Sequence, residues 1–185
     1  MRKIFTKLGG LKYFIILAAG IAFRFLPLKA PNIEPVMAST MPLAKKYGRL
    51  SAFVFAFLSM FLFDIIDGEV GAWTWITAIV YGVIGIAAAR YFKNKSNRPL
   101  NYLKFSIIST LAFDALTGLT TGPLFFNQPF MIALVGQIPF TAIHLLGNGI
   151  LAIALSPAIA YWLELKPETA SKPATKSNLF TKNPS

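Results

Sequence analysis

The sequence contains no cysteine, a single histidine and few charged residues. Without cysteine it can form no disulfide and carry out no thiolate chemistry. One histidine without a dense set of carboxylates near it argues against a dedicated metal site, and neither a metal nor another cofactor is expected. The sequence also lacks a Gly-x-Ser-x-Gly motif, a His-Glu-x-x-His motif and a phosphate-binding glycine loop, so it does not predict an enzyme.

The sequence consists mainly of long apolar segments. Hydrophobic residues make up 55% of the 185 residues and charged residues only 14%, which indicates a polytopic membrane protein rather than a soluble domain. The formal net charge of +11 is compatible with nucleic-acid binding. In a membrane protein, cytoplasmic loops rich in Lys and Arg explain the same charge, and no nucleic-acid partner is expected.

Six apolar segments predict an all-α integral membrane protein, a six-transmembrane-helix bundle with a short second helix. The predicted helices cover residues 11–28, 34–46, 50–66, 72–92, 102–116 and 139–163. Three prolines between residues 27 and 35 predict a tight polar connection there. Residues 130–137 are predicted to form a separate interfacial or re-entrant piece. One helix from 130 to 163 would be about 51 Å long, against a hydrocarbon core of about 30 Å.

The basic residues predict the orientation of the bundle. Fifteen of the 18 Lys and Arg fall in the N-terminus, the 45–49 turn, the 93–104 loop and the C-terminal tail. In the six-helix arrangement these four segments all lie on the same side of the membrane. The positive-inside rule then places both termini in the cytoplasm of a multi-pass protein in a prokaryotic cell membrane. The predicted organisation is a basic cytoplasmic segment (1–10), a membrane domain (11–163) and a disordered cytoplasmic tail (164–185).

A short pattern occurs twice within the apolar part. Ser59, Phe63, Asp64 and Gly68 recur at the same offsets as Ser109, Phe113, Asp114 and Gly118. A carboxylate in an apolar run is costly unless it finds a partner or water. The repeat therefore suggests a duplicated helical unit whose Asp-bearing ends converge on one polar site. Alternatively, both Asp residues are helix-end residues at the level of the lipid headgroups.

The predicted topology collects the costly polar residues in the outer half of the bundle, where they are expected to bind a small polar organic solute. Gln137, His144 and Asn148 are spaced by seven and four, so they share one helical face. Three alternatives remain open. In the first, Arg24 pairs with Asp64 or Asp114. In the second, His144 serves only as an interhelical hydrogen-bonding residue, and in the third the tryptophans are headgroup anchors. The candidate binding residues are Arg24, Asn32, Glu34, Asp64, Trp73, Asp114, Asn127, Gln137, His144 and Asn148.

Several local motifs give the chain its resemblance to a known family. They are Arg24-Phe-Leu-Pro27, Pro31-Asn-Ile-Glu-Pro35, the Phe-Asp-x-x-x-Gly repeat, Gly136-Gln-Ile-Pro-Phe140, His144-Leu-Leu-Gly-Asn148 and Leu155-Ser-Pro157. With these motifs the chain resembles a substrate-binding S component of an energy-coupling factor (ECF) transporter. The resemblance implies a six-helix protein that captures a vitamin or related micronutrient in an outward-facing pocket. It also implies a separate transmembrane coupling subunit and two ATPase subunits as partners.

The resemblance further implies that an Ala-x-x-x-Ala surface on the first helix contacts the coupling subunit. Ala18 and Ala22 match this pattern, and small residues let helices approach closely in lipid. The alternative is internal packing within the same bundle.

Two other function classes remain open. A stand-alone small-solute or ion-coupled transporter would use Asp64 and Asp114 as ion or proton sites. A structural membrane scaffold of the same fold would have its polar residues paired off and its cavity filled, whereas a solute-binding protein needs them to line one cavity.

The predicted orientation can be tested directly, because the chain has no native cysteine. A single cysteine introduced at Glu69 should react with a membrane-impermeant thiol reagent added from outside, and one introduced at Asn97 should not. Labelling of Asn97→Cys with protection of Glu69→Cys would contradict the six-span arrangement.

Overall fold

The computed structural model describes residues 10–26 and 33–164, and this part of the chain is helical. Four of the helices, those over Val36–Asp67, Ala72–Phe92, Pro99–Phe125 and Phe130–Glu164, are long and apolar enough to cross a membrane. The predicted disordered tail, the basic N-terminal residues and most of the proline-rich connection lie outside the described residues. The helices are α1 (Gly10–Arg24), α2 (Val36–Asp67), α3 (Ala72–Phe92), α4 (Pro99–Phe125) and α5 (Phe130–Glu164).

Helix α2 folds back on itself at Gly48. This residue has φ 83° and ψ −171°, a conformation that glycine adopts without a steric penalty. Glu34, just before the helix, and Met60, in its second half, both contact Arg24. They are 26 positions apart in the sequence, which in a straight helix would separate them by about 39 Å. The two halves therefore run in opposite directions, in agreement with separate helices predicted over 34–46 and 50–66.

The first half of α2 is the most deeply buried part of the bundle, with every residue from 36 to 44 buried. Small side chains here let the neighbouring helices approach closely. Helix α2 as a whole lies against all four other helices. Its second half packs tightly on α3, where a Cβ atom added at Gly85 would lie 2.6 Å from the carbonyl oxygen of Ala52.

Three predicted helix boundaries are wrong. Helix α1 ends at Arg24 instead of continuing to residue 28. Helix α4 continues to Phe125 instead of ending at residue 116. The polar residues that suggested a loop do not break it, since Thr117 donates its hydroxyl hydrogen to the carbonyl of Phe113 one turn earlier at 2.8 Å.

Helix α5 is likewise one element of 35 residues, and residues 130–137 form its first turns rather than a separate piece. At 1.5 Å per residue it is about 52 Å long, so it must tilt or extend beyond a hydrocarbon core of about 30 Å. Length alone therefore does not break a helix whose ends can leave the hydrocarbon.

Candidate ligand-binding site

All five helices, or the residues next to them, contribute to one cavity of about 370 Å³ that is partly open to the surface. Arg24 comes from the end of α1, Glu34 precedes α2, and Trp73 lies in the first turn of α3. Helices α4 and α5 supply the remaining polar wall. The lining residues are Arg24, Ile33, Glu34, Met60, Trp73, Thr77, Phe113, Thr117, Gly118, Thr121, Gln137, Phe140 and His144.

The charged residues of the cavity wall form a pair. Arg24 Nε lies 3.1 Å from Glu34 Oε2, and each side chain is 12% exposed. The Nε hydrogen is not aligned for a hydrogen bond, so the contact is a charge interaction. Glu34 Oε1 accepts a hydrogen bond from the Tyr81 hydroxyl at 2.7 Å, and the Arg24 guanidinium carbon lies 3.7 Å from the centre of the Phe63 ring. Arg24 thus pairs with Glu34, and with neither of the aspartates considered from the sequence.

The second polar pair joins α4 to α5. His144 Nδ1 lies 2.7 Å from Asp114 Oδ1, and the two side chains are 3% and 2% exposed. His144 lines the cavity, whereas Asp114 lies behind it and is not part of the wall. Phe113 and Phe140 meet the imidazole ring edge to face at 5.9 and 5.8 Å between ring centres. The pair is therefore held by a hydrogen bond and by two aromatic neighbours.

The helical face predicted to carry Gln137, His144 and Asn148 divides between the cavity and the interior. Gln137 and His144 line the cavity. Asn148 is fully buried one turn further along, where it donates from Nδ2 to Thr110 Oγ1 at 2.9 Å. A shared face thus supplies two residues of the cavity wall and one helix-to-helix contact.

Gly118 has a role that its place in the repeat did not suggest. It lies within α4, two turns before its end, and not at a helix end. A Cβ atom at this position would lie 1.8 Å from Gln137 Oε1, so only glycine leaves room for that amide beside the cavity. The conformation of Gln137 in the wall therefore depends on the absence of a side chain at Gly118.

The remaining candidates do not line the cavity. Asp64, at the end of α2, accepts a hydrogen bond from the Thr74 hydroxyl at 2.6 Å. Asn127 is exposed in the connection between α4 and α5, and Asn32 lies outside the described residues. The two aspartates of the repeat consequently occupy different settings: Asp64 is at a helix end, and Asp114 is behind the cavity wall.

Several wall residues were not predicted from the sequence as binding candidates, although Phe113 is part of the repeat. Phe113, Thr117 and Thr121 are spaced by four and therefore share one face of α4. This periodicity was hidden because the helix was predicted to end at residue 116. Phe140 stood out only as the last residue of a family motif, and Met60 and Thr77 carried no signal that separates them from ordinary core residues.

The composition of the wall suits an uncharged, partly aromatic solute. Arg24 and Glu34 neutralise each other, Thr and Gln side chains provide hydrogen bonds, and Trp73, Phe113 and Phe140 provide ring surfaces. Within residues 10–26 and 33–164, no three His, Asp or Glu side chains come together as metal ligands. Of the two features expected for a purely structural scaffold, the structure shows one: the polar residues are paired with each other, but side chains do not fill the cavity.

A helical membrane protein with a polar, aromatic-lined cavity fits the broad class of small-solute transport proteins. A sequence model of the family "ECF-type riboflavin transporter, S component" matches residues 13–161. The chain therefore belongs to this family of transport subunits, which bind a vitamin for import and are multi-pass proteins of prokaryotic cell membranes rather than enzymes. No curated protein and no solved structure matches the chain.

The Arg24–Glu34 pair yields a prediction about stability. Removing either partner leaves the other charge unpaired at the edge of an apolar bundle, so Arg24→Met and Glu34→Gln should each lower the free energy of unfolding by about 2–4 kcal/mol. The double variant should lose clearly less than the sum of the two. Thermal unfolding of the detergent-solubilised protein measures both effects, with Glu69→Gln as a control that neutralises an exposed carboxylate outside the pair. Additive losses would show that the two side chains are not coupled.

Proposed function

We propose that this protein is the substrate-capture subunit of an ECF-type importer and that it binds riboflavin or a closely related flavin in the cavity described above. The observation that carries the proposal is a neutral cavity wall that combines aromatic rings with hydrogen-bonding side chains. A flavin is an uncharged planar ring system with carbonyl and N–H groups and a hydroxylated chain. The volume of about 370 Å³ lies within the range of about 300–1,000 Å³ usual for small-molecule sites.

The candidate residues take different parts in this proposal. Arg24, Glu34, Trp73, Gln137 and His144 contact the solute from the cavity wall. Asp114 acts through His144, and Asn148 joins α4 and α5 through its bond with Thr110. Asp64 and Asn127 take no part in binding. This assignment follows the positions of the side chains relative to the cavity.

The proposed membrane arrangement has six segments: α1, the two halves of α2, and α3 to α5, with both termini in the cytoplasm. The fold-back of α2 at Gly48 supports it, because the basic residues 45–49 then lie at a turn between two segments. The membrane domain covers residues 11–163, and the cavity opens on the extracytoplasmic side.

Flavin fluorescence provides a test of ligand binding. Purified protein should quench riboflavin fluorescence saturably at one flavin per chain, since aromatic side chains lie against the bound ring. Gln137→Met should weaken binding by about 1–3 kcal/mol because it removes the amide hydrogen bonds and keeps the size. Asp64→Asn, which lies outside the cavity wall, is the matched control and should bind like the original protein. Unchanged affinity in Gln137→Met would place the flavin elsewhere.

The surface of α1 is proposed to contact the coupling subunit of the importer. Ala18 and Ala22 are exposed, and they continue a stripe that begins with Leu11 and Ile15, which are 70% and 46% exposed. The opposite face of α1 packs into the bundle through residues such as Tyr13 and Leu17. The exposed small residues Ala18 and Ala22 favour close packing of a second helix in the membrane over internal packing.

A bulky side chain on this stripe should separate docking from ligand binding. Ala18→Trp should abolish co-purification with the coupling subunit and leave riboflavin affinity unchanged, because Ala18 is exposed and does not line the cavity. Val83→Trp is a suitable control, since Val83 is 54% exposed on α3. Retained co-purification in Ala18→Trp would show that the α1 stripe is not the docking surface.

A further inference from the structure

The two ring nitrogens of His144 lie in different surroundings. Nδ1 is 2.7 Å from Asp114 Oδ1. Nε2 has no hydrogen-bond partner among the described residues. It is not fully enclosed by the protein, in contrast to the unpartnered Oδ2 of Asp114. His144 lines the cavity, so Nε2 is the polar atom that this residue presents to a bound solute.

The imidazole has little freedom to turn. Phe113 and Phe140 contact it edge to face with interplanar angles of 81° and 76°. Both phenylalanines also line the cavity, so the ring is held between two parts of the wall. Asp114 fixes the third direction through its hydrogen bond to Nδ1. A flip of the ring would break this bond and leave a second buried carboxylate oxygen without a partner, beside Oδ2, which already lacks one.

The hydrogen bond also determines which nitrogen carries the proton. An ionised carboxylate can only accept hydrogen bonds. With Asp114 ionised, Nδ1 at 2.7 Å is the N–H donor, because an unprotonated Nδ1 would place two lone pairs against each other. In the neutral imidazole the other nitrogen, Nε2, then carries a lone pair and accepts.

We propose that Asp114 is a positioning residue that holds His144 as the Nδ1–H tautomer, so that Nε2 accepts a hydrogen bond from an N–H or O–H group of the solute. The proposal rests on the proposed function, since it places the solute in the cavity. It adds a requirement for the ligand: a donor group must face His144. In a flavin, this donor is the ring imide N–H or a hydroxyl of the side chain.

The substitution Asp114→Asn tests the role of the carboxylate. The amide has almost the same shape, but its NH₂ group can donate to Nδ1 and so favours the Nε2–H tautomer. The same exchange in a Ser-His-Asp triad leaves the geometry intact and produces the wrong tautomer. In this protein it would turn the acceptor facing the solute into a donor.

The tautomer can be read without ligand, because His144 is the only histidine in the sequence. Histidine labelled with ¹⁵N in the ring gives one pair of ring signals in the purified full-length protein, and no assignment between residues is needed. The expected result is a protonated Nδ1 and an unprotonated Nε2. A protonated Nε2 in the unsubstituted protein overturns the proposal, and this measurement stands even if a variant fails to fold.

The affinity measurements complete the test. Asp114→Asn should shift the ¹⁵N pattern toward Nε2–H and weaken riboflavin binding by about 10- to 100-fold, with the fold retained by circular dichroism. Asp114→Glu keeps a carboxylate and should preserve the Nδ1–H pattern and recover part of the affinity. Asp64→Asn should leave both readouts unchanged.

The outcomes separate this inference from the proposed function. If riboflavin binds and Asp114→Asn reverses the tautomer without loss of affinity, the inference is wrong and the proposed function stands. If the unsubstituted protein shows the Nδ1–H pattern and binds no riboflavin, the proposed flavin ligand is wrong, while the assignment of Asp114 as a positioning residue is supported.

Discussion

The need to find a partner for the charged and strongly polar side chains that enter the apolar bundle is the constraint on which this structure depends. Arg24 meets Glu34, His144 meets Asp114, and Asn148 meets Thr110. Each pair joins side chains that come from different helices or from the ends of different helices. In surroundings of low dielectric, an unpaired member would cost several kcal/mol. The pairs therefore fix the register of the helices as well as the polarity of the interior.

Small residues make these pairings geometrically possible. Gly118 leaves room for the Gln137 amide between α4 and α5, and Gly85 allows α3 to lie directly on the backbone of α2. Gly48 lets α2 reverse direction, which brings Glu34 and Met60 to the same arginine. The same few glycines thus allow the helix backbones to approach closely and the polar groups to pair.

The cavity is built from the same interactions that stabilise the bundle. The Arg24–Glu34 pair keeps the wall electrically neutral, and the Asp114–His144 pair supports one of its hydrogen-bonding groups from behind. A family of vitamin-importing S components requires a site that binds a solute without being able to power its transport. A preformed, neutral and aromatic-lined cavity fits that task, because little reorganisation is needed to admit an uncharged ring.

The sequence by itself determined that this is a helical membrane protein, separated the two halves of α2, and identified Arg24, Glu34, Trp73, Gln137 and His144 as polar or aromatic residues that share a region. Hydropathy and motif spacing carry this information because they are local. Only the tertiary structure decided the partners: Glu34 rather than an aspartate for Arg24, a position behind the wall for Asp114, and a helix end for Asp64. It also decided the continuous courses of α4 and α5. Pairing depends on which helices become neighbours, and the spacing of residues along one chain does not specify that.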